Sequence, residues 1–130
     1  MFEERRAVFQ KLVLNVTPAQ GLSDYIDLYL SAAHRDRRDR GCPVVALSGD
    51  IARMTSPAQL RLEAGLQAMT TAVADMLEQL DRPNPEALAA SLLFEMIGAV
   101  AVSRAINDST KSLSILESAK VSVKARAGLV

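Results

Sequence analysis

Ala87-Leu88-Ala89-Ala90-Ser91-Leu92-Leu93-Phe94-Glu95-Met96-Ile97-Gly98-Ala99-Val100-Ala101-Val102 is apolar on every side of a helix except at Ser91 and Glu95. Asn84-Pro85 ahead of it can cap and start a helix, and Asn107-Asp108 behind it can stop one. A helix apolar all round cannot rest on a surface and has to be covered from two or more directions. At ~100° per residue, Ala87, Ala90, Phe94, Gly98, Ala101 and Ala105 fall along one narrow stripe of mostly small residues. Leu88, Leu92, Met96, Ala99 and Ile106 fall on a bulkier face. The bulky face suits the chain's own core, and the small one lets a second helix come close. A dimer-forming helix is expected. The competing reading is a membrane span, but the run is shorter than the ~20 apolar residues a bilayer needs. It also holds Glu95 and is closely followed by Arg104, so no membrane partner is expected.

Working outward, the 130 residues are enough for one domain that buries roughly two thirds of its unfolded surface. Fifteen basic residues balance fifteen acidic ones. A chain this neutral has no electrostatic footprint for a phosphate backbone, so it is not expected to bind nucleic acid by itself. Cys42 is the single cysteine, which leaves no internal disulfide and fits a reducing compartment. Met1-Phe2-Glu3-Glu4-Arg5-Arg6 leads into an amphipathic segment, not an apolar signal region. The expected location is cytoplasmic.

Six helical segments are read, and with no trustworthy strand pattern the expected fold is an all-α, six-helix bundle in a single domain. They lie at 1–14, 17–34, 44–53, 56–80, 85–106 and 110–124. Thr17-Pro18 and Ser56-Pro57 each open a helix with a glutamine, Gln20 or Gln59, at capping-box spacing. Leu22, Tyr25, Ile26, Tyr29, Leu30 and Ala33 recur at the interval of a core-facing stripe, as do Leu66, Met69, Val73, Met76, Leu77 and Leu80. Arg35 to Arg40 alternates charge and reads as a solvated helix end, and Gly41-Cys42-Pro43 breaks the chain.

Catalysis finds little support. Cys42 and His34 lie close enough in sequence to be a nucleophile and its base, and a small enzyme built on them is one alternative. The ordinary reading is a surface histidine and a packed thiol. No Cys/His spacing suits a metal, and no cofactor is expected. A ligand pocket is better grounded. The helices bring Tyr25, Tyr29, Met69, Val73, Met76, Leu92 and Met96 toward a shared interior. Methionines adapt to irregular volumes and tyrosine hydroxyls can orient a ligand, although all seven also suit plain core packing. Glu95 falls near Leu88 and Val102 on the wheel, at or beside the core. Its carboxylate is expected to meet a ligand or an arginine from a neighbouring helix.

The chain resembles the C-terminal domain of the tetracycline-repressor-like (TetR/AcrR) family of bacterial transcriptional regulators. The residues that carry the likeness are ordered along it. They are Asp27-Leu28-Tyr29-Leu30-Ser31, His34-Arg35-Asp36 and Gly41-Cys42-Pro43-Val44-Val45-Ala46-Leu47. After a long helix come Met96-Ile97-Gly98-Ala99-Val100-Ala101-Val102-Ser103-Arg104-Ala105, and finally Ser114-Ile115-Leu116. The resemblance implies a domain that binds a small apolar effector and forms a homodimer through its last two helices. Ala87, Ala90, Phe94, Gly98, Ala101, Ala105, Leu113 and Leu116 would form that interface. It also implies repression of transcription relieved by the effector. The segment 1–14 corresponds to the family's linker helix, so the helix-turn-helix domain that reads DNA is expected to be absent from this chain. A stand-alone helical dimer that binds apolar molecules or a protein partner, with no DNA role, is the other alternative.

Overall fold

A computed structural model describes residues 17–37 and 55–129. The helices expected at 1–14 and 44–53, the Gly41-Cys42-Pro43 break and Cys42 itself lie outside the described residues. Among those described, the fold is all-helical, with α1 (Pro18–Tyr29), α2 (Ala32–Asp36), α3 (Ser56–Gln79), α4 (Pro85–Ala105) and α5 (Ser109–Ala127).

The single helix expected over 17–34 is two. Ser31 ends one and begins the other: its hydroxyl donates to the Leu28 carbonyl (2.7 Å) and accepts from the His34 amide (3.1 Å). One side chain thus closes α1 and caps α2. Thr17 caps α1 by accepting from the Gln20 amide at 3.2 Å. The Gln20 side chain turns forward to Asp24 Oδ1 (2.7 Å), so that capping box is half formed. At α3 the cap is Thr55, one residue before the expected Ser56, and it accepts from the Ala58 amide.

The turn between α3 and α4 is tight because two residues adopt left-handed backbone, Asp81 (φ 58°) and Asn84 (φ 50°). Asp81 follows the α3 terminus, where its amide reaches Glu78 O (2.9 Å) and the Arg82 amide reaches Leu77 O (3.0 Å). That pairing satisfies carbonyls the helix would otherwise leave open. Asn84 stands at the cap position of α4 but makes no side-chain cap bond. Its contribution is a conformation that asparagine tolerates better than most residues. Asp108 caps α5 through the Lys111 amide (3.0 Å). Gly128 (φ 73°) ends it, with Leu129 N to Lys124 O at 2.9 Å. The last helix therefore runs one turn past its expected end.

α4 sits at the centre, packed against α2, α3 and α5, while α1 crosses α3 and α5. The core joins Leu22, Tyr25, Ile26, Tyr29 and Leu30 of α1 to Met69, Val73, Met76 and Leu77 of α3. Leu92, Leu93, Met96 and Val100 of α4 and Leu116, Ala119 and Val123 of α5 complete it. Ala33 lies outside the core, exposed on α2. Each large apolar side chain buried here contributes about 1.5–3 kcal/mol relative to leaving it in water.

At 21 residues α4 is long and apolar enough to cross a bilayer by length and composition alone, longer than the apolar run expected from the sequence. Its packing is that of a core helix on one side only. Leu92, Leu93, Met96 and Val100 are buried by its neighbours, whereas Phe94 and Val102 are exposed.

Candidate functional site

The structure buries Tyr25, Tyr29, Met69, Val73, Met76, Leu92 and Met96 within the one core that α1, α3, α4 and α5 share. The Tyr25 and Tyr29 ring centroids are 6.0 Å apart, and the Tyr29 ring meets the His34 ring edge-on at 4.6 Å. His34 is not the surface residue its charged neighbours suggested: it is 2 % exposed. The break at Ser31 turns α2 back so that its imidazole enters the interior. There Nδ1 donates to the Tyr29 carbonyl at 2.6 Å, because a carbonyl can only accept. A cap spacing, Ser31 to His34, is the sequence signal that points to this turn.

A polar articulation follows from the same turn. Arg104, in the last turn of α4, donates Nε to the Arg35 carbonyl (2.9 Å) and Nη2 to the His34 carbonyl (3.1 Å). Arg35 is not solvated either. Its Nη1 donates to Ser112 Oγ (2.9 Å), which donates in turn to the Ser103 carbonyl (2.8 Å), and its Nε pairs with Asp36. Ser103 and Ser112 are buried, so these bonds satisfy groups that would be costly to leave open. The short α2 is thereby fastened to the α4–α5 end of the bundle.

Glu95 stands apart from the core cluster. It lies on the side of α4 that meets α5, ion-paired with Arg126 and accepting from Ser122 Oγ at 3.3 Å. Arg126 is the arginine of a neighbouring helix that was one of the two partners expected for it. A separate surface cleft of ≈ 530 Å³ opens between the end of α3 and the start of α4, lined by Asp75, Glu78 and Glu86 among others. Ala74 of the buried core lines it, but none of the seven residues expected to hold a ligand does. Among the described residues no three His, Cys, Asp or Glu side chains gather as a metal site.

The stripe on α4 lies opposite the core. Ala87, Phe94, Gly98 and Ala105 are exposed and Ala90 and Ala101 half-buried, with Phe94 60 % exposed. A Cβ built on Gly98 meets nothing within 4 Å. The two α5 residues assigned to the same face do not share it. Leu116 is 1 % exposed and belongs to the chain's own core. Leu113 is exposed, but on the side of α5 that carries Lys124, which pairs with Asp27 of α1 at 2.7 Å. The outer side of α5 is formed instead by Ser114, Ser118, Val121 and Ala125, all exposed. These recur at intervals of three and four residues, a spacing that was visible but hidden among small polar residues.

One central helix thus serves the inner core and leaves its far side bare. Residues 18–119 match the family model described as transcriptional regulator LmrA/YxaF-like, C-terminal domain, and the chain belongs to that family of TetR regulators. None of the curated proteins matches the chain. Domains of this family are parts of regulators and generally not enzymes.

Proposed function

We propose that this domain senses a small apolar effector and holds two copies of a transcriptional repressor together. Family membership supports the general role of effector binding and dimerisation. The observation that carries the finer reading is the bare outer stripe of α4, apolar and mostly small, directly behind a core of methionine and tyrosine. α4 and α5 of two copies pack there around a two-fold axis as a four-helix contact. The effector enters among Tyr25, Tyr29, Met69, Val73, Met76, Leu92 and Met96. It acts by binding one arrangement of the helices better than another, which changes the spacing of two DNA-reading domains that must sit about 34 Å apart. DNA contact is assigned to no described residue of this chain.

The test has two parts. Sedimentation of the native chain should give a dimer, and a monomer at every concentration would remove the interface. A thermal-shift screen with apolar compounds should then yield a binder whose affinity falls in Tyr29→Phe combined with Met76→Ala. Titration calorimetry on the folded variant reads that affinity, and an unchanged value would place the pocket elsewhere. Binding and dimerisation with no effect on a repressor's operator affinity would favour a dimer without a DNA role.

A further inference from the structure

A smaller cleft, of ≈ 200 Å³, opens where α2 meets the turn between α4 and α5, and its lining is polar where the core is apolar. Two guanidinium groups, those of Arg35 and Arg104, stand on it with one carboxylate, that of Asp36; Asn107 and Ser109 line it too. Arg35 is held rather than solvated. Its side chain is 16 % exposed, and Nη1 is fixed by Ser112 Oγ at 2.9 Å. The main-chain oxygens of His34 and Arg35 fix the plane of Arg104 and carry no net charge. Asp36 accepts from Arg35 Nε (2.9 Å) and Nη2 (3.4 Å), but it stands out in water with its side chain 67 % exposed. Next to the lining, Asp108 and Lys111 at the start of α5 offset each other in charge.

We propose that this cleft binds a phosphate group, with Arg35 and Arg104 as its charged partners and Asp36 as the competitor it displaces. A guanidinium presents its N–H donors in a planar fork that matches the oxygens of a phosphate. A phosphate near its second ionisation carries close to two negative charges and balances both arginines at once, which the single charge of Asp36 does not. The Asp36 side chain, already mostly in water, turns away at little cost, because an exposed ion pair contributes little. With two positive charges against one negative on its lining, the cleft suits a compact anion and not a duplex backbone, which needs a longer run of cations. The site lies apart from the tyrosine and methionine core and from the outer stripe of α4. It therefore stands whether or not the domain takes an apolar effector or dimerises. A bound phosphate touches α2 through Arg35 and α4 through Arg104, so it tightens the fastening of the short helix.

The experiment titrates the full chain with inorganic phosphate at constant ionic strength, chloride being the balancing ion, and follows the backbone amides by NMR. Saturable shifts should be confined to Arg35, Asp36, Asn107 and Ser109, and hydrogen exchange should slow at the Arg37 amide, which bonds Ala33 O within α2. R35Q should weaken binding by ~10-fold. D36N should tighten it several-fold by removing the competitor, and it keeps the idea testable if R35Q loosens α2. D75N, which removes a carboxylate from the separate α3–α4 cleft, should change nothing. Circular dichroism verifies the helix content of each variant. Glycerol phosphate is the second probe: tighter binding than the free ion makes the ligand the phosphate of a small metabolite, weaker binding makes it the ion itself, and both support the site. Shifts that spread over the surface without saturating mean an adventitious ion only and overturn the proposal. So does a D36N variant that binds phosphate no better than D75N.

Discussion

The guanidinium of Arg82 occupies the space that a side chain on Gly128 would need. A Cβ built there falls 2.5 Å from Nε and from Nη2. The contact exists because Arg82 donates Nε to the Ala127 carbonyl (2.8 Å), Nη2 to the Gly128 carbonyl (2.9 Å) and Nη1 to the Leu80 carbonyl (3.0 Å). One side chain therefore binds the carbonyl ends of both α3 and α5, where the helix dipoles favour a cation. Gly128→Ala should cost about 1–2 kcal/mol for the left-handed backbone, plus the displacement of Arg82. In an Arg82→Ala background only the backbone part should remain. Urea unfolding of the four members of this cycle measures the difference.

Asp81 bears the same backbone strain with no such clasp. Asp81→Gly should stabilise the chain by about 1 kcal/mol, because glycine adopts positive φ without a Cβ penalty. A rise in the urea midpoint with an unchanged slope is the expected result.

Gly98 separates folding from association. With nothing near its Cβ position, Gly98→Leu should leave the lone chain folded and raise its helix stability by about 0.5–1 kcal/mol. The same leucine should hold two copies apart, so sedimentation should show a monomer where the native chain dimerises. A loss of helix content instead would mean that this position packs inside its own subunit.

Arg104 should act on α2 without acting on the rest. Arg104→Gln removes the fork that holds the His34 and Arg35 carbonyls. Hydrogen exchange should quicken at the Arg35 and Arg37 amides, which bond Ser31 O and Ala33 O within α2. Amides in the middle of α4 and α5 should keep their native rates, as expected for local and not global opening.

These residues also mark what could be read before any coordinates. The long apolar run around Leu92 and Met96 announced a central helix, because its period needs no tertiary information. The stripes on α1 and α3 were legible for the same reason, and so was the bare row from Ala87 to Ala105. The break at Ser31 was not, since a serine between Leu30 and Ala32 reads the same whether it caps a helix or faces water. His34 was missed with it: burial of an imidazole depends on which way a turn sends it. Leu116 looked like a contact for another copy because a leucine on a terminal helix carries no mark of which neighbour it meets. Ser114, Ser118, Val121 and Ala125 escaped notice for the opposite reason, being too small and mixed to signal a face.

The fastening of α2 has a consequence for tolerance to change. Arg104 grips main-chain oxygens, which every amino acid supplies. Ala33, turned to water on that short helix, is therefore open to replacement without loosening its attachment, while Arg104 and the bend at Ser31 are not.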